Sequence, residues 1–199
     1  MVEILGWVAA FFGVASALPQ ILHLVRTRTS EGVSLLMWQL NLGVILAWTT
    51  HGLLTARVNL IVVNGIVSIM SAVIVWLICK DRRQNPLRAY GLPLLVGVVL
   101  FGVELGFGPF AFGLLAVVPA AIANGAQFKD LLERPDLSGV SVGTLLMLGL
   151  VQATWFVWSV LANDVAVTVS ASVLTVVCVA NIVVYGLRRT GTLKARAAK

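Results

Sequence analysis

Trp48, His51 and Asn64 stand inside apolar stretches, and Trp155 and Trp158 stand in comparable surroundings further along the chain. An indole offers a flat apolar face and one N–H donor, which suits a solute with both apolar and polar faces. An asparagine amide offers a donor and an acceptor together, which suits a hydroxyl. These groups can hold a neutral polar solute. They are not a set for covalent chemistry, because no nucleophile, base and orienting acid stand together in the apolar stretches. The sequence shows no metal-ligand cluster and no cofactor fingerprint, so neither a metal nor a cofactor is expected.

A second group of residues is suited to motion rather than binding. Pro19 lies near the end of the first apolar stretch and is followed by Gln20. A proline inside a helix removes one backbone hydrogen bond and clashes with the carbonyl four residues earlier. Pro19 is therefore a candidate gate hinge, and Gln20 can bond the carbonyl that the proline leaves free. Pro119 and Gln127 are the corresponding candidates in the second half.

Those two halves repeat. Gln127 follows Gln20 at an offset of 107 (127 − 20). Gly139-Val140-Ser141 follows Gly32-Val33-Ser34, and Trp155 follows Trp48, at the same offset. An ungapped offset held across a loop and into the next helix marks a duplicated unit of about three helices. The copies are not identical. Ala126 replaces Pro19, Trp158 replaces His51 and Ala171 replaces Asn64. A pocket between the copies would be polar on the first side and aromatic on the second.

The elements that position these residues are membrane helices. The chain is 59% hydrophobic and 11% charged, with a mean hydropathy of +1.00. A soluble domain of this length could not cover so much apolar surface with so few charges. Seven apolar segments run over about 4–24, 35–56, 60–79, 90–107, 110–131, 140–162 and 165–187. Most reach the roughly 20 residues that a helix needs to cross ~30 Å of hydrocarbon. No short apolar run with a cleavage-like tail is seen, so no removable leader is expected. Cys79 and Cys178 fall inside apolar runs and read as packing residues.

Charge orients the segments. Of the 14 basic residues, only Arg57 falls on the side opposite the rest. The positive-inside bias puts the N-terminus outside and the C-terminus in the cytoplasm, with the plasma (inner) membrane as the location. The net charge of +6 comes from this asymmetry. Basic residues scattered over short loops do not suit nucleic acid, and the C-terminal tail suits anionic headgroups. Glu104, near the outer end of the fourth segment, is expected to snorkel to the interface. The same reading leaves His51 and His23 without a clear partner.

The fold expected is an all-α membrane protein with seven transmembrane helices, in a 3+1+3 arrangement of two parallel three-helix repeats. Residues 1–79 form the first repeat and 80–108 a loop and linker helix. Residues 109–188 form the second repeat and 189–199 a basic tail. The expected partners are a small-molecule solute and the lipid bilayer, with self-association into a homo-oligomer left open.

In these features the chain resembles the PQ-loop superfamily, and within it the SWEET and SemiSWEET sugar transporters. The Pro19-Gln20 pair ahead of a basic loop and Gly32-Val33-Ser34 carries part of the resemblance. The 3+1+3 layout carries another part. So does the spacing of 16 between Trp48 and Asn64 (64 − 48), which in SemiSWEETs places a tryptophan and an asparagine on the central cavity. The resemblance implies a sugar uniporter working by alternating access. It implies a binding site at Trp48 and Asn64, with His51, Trp155 and Trp158 beside them.

Two other readings stay open at this level. One is a proton-coupled carrier of amino acids or another metabolite, similar to cystinosin-type proteins. The scarcity of carboxylates in the apolar segments favours uniport over it. The other is a ligand-binding receptor of the KDEL-receptor type, which is disfavoured because no Lys or Arg stands within the interior of a segment. A retinal protein is excluded, since the seventh segment has no lysine for a Schiff base.

Overall fold

The computed structural model describes residues 2–137 and 140–195, with the side chains of Ser16, Ala17, Pro19 and Gln20 outside that description. Every regular element among the described residues is helical. The elements are α1 (Val2–Thr27), α2 (Leu35–Leu54), α3 (Val58–Asp81), the single turn α4 (Pro86–Ala89), α5 (Gly91–Ala116), α6 (Val118–Glu133), α7 (Val142–Ala162) and α8 (Val165–Arg189). Each apolar segment of the sequence carries a helix. An apolar surrounding offers backbone N–H and C=O groups no partner, so each helix must satisfy its own.

Among the described residues, four helical stretches are long and apolar enough to cross a membrane. They are Val58–Asp81, Pro86–Glu133, Val142–Ala162 and Val165–Arg189. The protein is an integral membrane protein. The stretch Pro86–Glu133 has 48 residues, more than twice the length of one crossing. Its interruption is at Gly108, with φ 83° and ψ 176°, ahead of Pro109. That backbone conformation is open to glycine and strained for any residue with a Cβ. The break divides α5 where the fourth and fifth apolar segments part.

The fifth segment itself is not one regular helix. It turns at Val117, between α5 and α6, and Pro119 opens α6. Pro119 has no N–H to give to Leu115, so the ladder fails there. The bonds Val117 N–H to Gly113 O (3.3 Å) and Ala121 N–H to Val117 O (2.9 Å) carry the chain past the gap.

The chain forms two compact units, Met1–Phe112 and Gly113–Lys199. In the first, α1 and α2 both pack on α3, and in the second α6 and α7 both pack on α8. Leu42, Val75 and Cys79 form one apolar cluster of the first unit, and Leu24, Ile74 and Ile78 form another. The helix 91–107 joins the first unit through a glycine contact. A Cβ on Gly43 of α2 would stand 2.6 Å from Val96 and 2.8 Å from the Pro93 carbonyl oxygen. Without that Cβ the two backbones lie close enough for direct packing.

The offset of 107 reappears as geometry. Ser34 caps α2 by accepting from Met37 N–H (3.2 Å), and Ser141 caps α7 by accepting from Thr144 N–H (3.3 Å). Ala56 and Asn163, also 107 apart (163 − 56), both have φ 53°. Beside them, Arg57 N–H donates to Gly52 O and Asp164 N–H donates to Ser159 O, each at 2.9 Å.

Each unit also ties the loop after its first helix to the end of its third. In the first unit Asp81 accepts from the N–H and the hydroxyl of Ser30, both at 2.7 Å. Arg82 donates to the Ser30 hydroxyl and carbonyl, both at 3.0 Å, and to the Val33 carbonyl. In the second unit Arg188 stands at the position of Asp81 (188 − 81 = 107). Its guanidinium donates to the carbonyls of Leu131, Leu132, Arg134 and Pro135. An acid collects donors in one copy and a base collects acceptors in the other.

Candidate functional site

Trp48 and His51 lie one turn apart on α2, so they share a face. The indole meets the imidazole edge-on, with centroids 5.4 Å apart and planes at 90°. Phe112, from beyond the Gly108 break, stacks on His51 (5.3 Å, 22°) and meets Trp48 at 4.7 Å. Trp48 stays half-buried, while His51 and Phe112 are enclosed.

Behind the rings, His51 Nδ1 is bonded to Glu104 Oε1 on α5. This corrects the expectation that Glu104 snorkels to the interface. Its residue is 8% exposed, and it turns inward because His51 offers a partner that lipid and headgroups do not. It also gives His51 the partner that the sequence did not reveal. His51 backs the Trp48 ring from within the unit.

Asn64, on α3, is half-buried. Its Nδ2 donates to Leu60 O of its own helix at 2.9 Å, which leaves the amide oxygen as the group able to accept from a solute hydroxyl.

The second unit repeats the aromatic pair. Trp155 and Trp158 lie edge-on, 5.4 Å apart with planes at 89°, which matches Trp48 and His51 within a degree. Trp155 is half-buried and Trp158 is enclosed, like their counterparts. Gln127 lines a polar cleft of about 650 Å³ between α6 and α7, together with Asn124, Asp130, Arg134, Ser141 and Thr144. That volume is in the range of small-molecule sites. Asn181 is enclosed and donates to Asn124 O at 3.2 Å, which ties α8 to α6. Pro119 sits in the first turn of α6, two residues past the interruption at Val117. The side chains of Pro19 and Gln20 lie outside the described residues.

Two residues of this site were missed by sequence reasoning. Glu104 and His51 both stand near the C-terminal ends of their segments, which the sequence reading put at one face, so matched depth was a readable signal for their pairing. Phe112 gave no signal, being one phenylalanine among apolar neighbours.

Comparison with known proteins follows the same lines. The family model of the PQ loop repeat matches residues 1–56. A protein named Sugar transporter SemiSWEET from Escherichia coli (strain UMEA 3162-1) is 26% identical over 80 residues, 40% of this chain and 90% of that protein. Another of that name, from Leptospira biflexa serovar Patoc, is 32% identical over 86 residues, 43% of this chain and 100% of that protein. The aligned stretch is under half of this chain and nearly all of each relative. Members of this family are transporters and not enzymes. With the repeated capped turns and the repeated aromatic pair, these matches place the chain in the PQ-loop family of membrane transporters, as a SWEET/SemiSWEET-like member.

Proposed function

We propose that this protein carries a sugar across the membrane as a uniporter, by alternating access of its two units around a shared site. The observation that supports the reading most is the pair of half-buried tryptophans, Trp48 and Trp155. Both sit 107 residues apart with the same edge-on backing ring. Two equivalent indole faces suit a ring-shaped solute with apolar C–H faces, and the amide oxygen of Asn64 suits its hydroxyls. His51 and Trp158 hold those faces in place. The relatives' printed name, Sugar transporter SemiSWEET, points to the same class of solute.

In this reading α1–α3 form one repeat, the helix 91–107 is the linker, and the helices after Gly108 form the other. The polar cleft with Gln127 is then a cytoplasmic-side wall of the path, with Pro19 and Pro119 as bends that let it open.

The test of the solute class is a thermal-shift screen of sugars and amino acids on detergent-purified protein. A ligand at 100 times its dissociation constant stabilises the native state by about 2.7 kcal/mol. Sugars should raise the melting temperature and amino acids should not. The opposite pattern ends the sugar reading.

The orientation proposed has the N-terminus outside and the C-terminus in the cytoplasm. Single cysteines at Gln84 and at Asn163, in a background without Cys79 and Cys178, should label from opposite sides of intact membranes. Labelling from one side overturns this topology.

A further inference from the structure

Sugar uniport makes no use of the acid–base pair formed by His51 and Glu104. The pair is enclosed, with side-chain exposures of 1% and 6%. An isolated ion there would be costly, and one proton shared between the two groups makes the pair neutral. The other carboxyl oxygen, Glu104 Oε2, is buried and has no hydrogen-bond partner among the described residues. A buried acceptor left unmade costs about 1–3 kcal/mol, so an unpartnered oxygen calls for a purpose.

Packing does not supply that purpose. In the second unit Trp158 fills the place of His51 with the same ring geometry, and no acid is needed behind it. Position 51 therefore asks for an aromatic ring, and the imidazole adds a titratable group that the ring alone does not require. The other titratable groups on the elements around the pair are few. Within α2 and α5 there are none besides His51 and Glu104. Toward the same end lie Glu3 in the first turn of α1 and Arg57 at the start of α3. At the opposite end lie His23 and Arg26 on α1 and Cys79, Lys80 and Asp81 on α3.

We propose that His51 and Glu104 form a proton-binding site that ties α2 to α5 beneath Trp48, and that a second proton loosens the tie. The closed pair holds one proton between Nδ1 and Oε1. The second proton comes from water on the side of the C-terminal end of α2 and adds to Oε2. The site passes from neutral to a charge of +1, as an imidazolium beside a carboxylic acid, with no electron transferred. The attraction of opposite charges is then lost, and a net charge stands in an apolar interior that favours opening to water. Acidification on that side should therefore change the rate at which the carrier turns over. The proton site stands without regard to the solute, and its effect on transport rests on the carrier reading above.

The test is an infrared pH titration of the purified full chain. A protonated-carboxyl band of an acid in an apolar site, at higher frequency than the bands of the exposed acids, should grow as pH falls and should be lost in Glu104→Gln. The double variant His51→Trp/Glu104→Gln gives the first unit the ring pair that the second already has, and serves if a single variant fails to fold. A wild-type band that does not respond to pH while the chain stays folded, or that persists in every folded Glu104→Gln background, overturns the site. Sugar uptake into proteoliposomes is then measured against outside pH. The wild type should vary with pH, and Glu104→Gln, which keeps the His51 ring, should take up sugar at a rate that does not follow pH. A flat wild type overturns the effect on transport. Absence of any sugar uptake defeats the sugar reading alone, because the infrared result does not depend on it.

Discussion

Replacing Trp48 with alanine should lower sugar uptake by about 5- to 150-fold while the chain still folds. The indole makes two edge contacts, at 5.4 Å with His51 and at 4.7 Å with Phe112. Such pairs are each worth about 0.5–1.5 kcal/mol beyond buried area, or about 1–3 kcal/mol together. Those contacts fix the ring within the protein; the solute loses the indole face itself, and loss of an aromatic stacking partner costs about 1–3 kcal/mol, or about 5- to 150-fold at 1.4 kcal/mol per factor of ten. Trp48→Phe keeps one ring and should fall between. Asn64→Ala should be milder, because one hydrogen bond to a neutral ligand is worth about 0.5–1.5 kcal/mol, roughly 2- to 13-fold. Initial uptake into proteoliposomes, with gel filtration to check folding, makes the measurement. Wild-type uptake in Trp48→Ala would move the solute to another part of the protein.

The largest effect on stability should come from Gly113→Ala. A Cβ at this position would lie 2.4 Å from the carbonyl oxygen of Ala166 and 3.0 Å from its Cα. These are backbone atoms of α8, so no rotamer change relieves the clash and the helix itself must shift. Overpacking of this kind costs about 1–3 kcal/mol. The shift also strains the bond from the Ser170 hydroxyl to Gly113 O, now 2.7 Å, which is worth about 1 kcal/mol. Gly102→Ala is the control, because nothing lies within 4 Å of its added Cβ. In a helix that change gains up to about 1 kcal/mol. Melting in detergent should therefore fall for the first variant and hold or rise for the second. Equal melting of Gly113→Ala and the wild type would show that α8 can move away without loss.

Most of the fold was legible because hydropathy alone locates helices that must satisfy their own backbone. The gap between the fourth and fifth apolar segments was legible, but the left-handed Gly108 and the turn at Val117 that make the breaks were not, because hydropathy does not distinguish one apolar residue's backbone from another's. The offset of 107 was legible, and it recurs in the Ser34 and Ser141 caps and in the two edge-on ring pairs, which the sequence alone did not specify. Matched depth allowed the pairing of His51 with Glu104 but did not give it, because the two residues are 53 apart and their meeting depends on which helix faces touch. That facing is set by Gly43 against Pro93 and Val96, a contact defined by an absent atom. The direction of the Asn64 amide was equally hidden, since the spacing from Trp48 says nothing about a bond to Leu60 O.

Phe112 lies past the Gly108 break and yet packs within the first unit, on His51 and Trp48. The break at Gly108 is therefore more than a joint between two helical stretches. It returns a ring to a unit that the chain is about to leave, so the first unit is closed from inside only after its chain has run past the break.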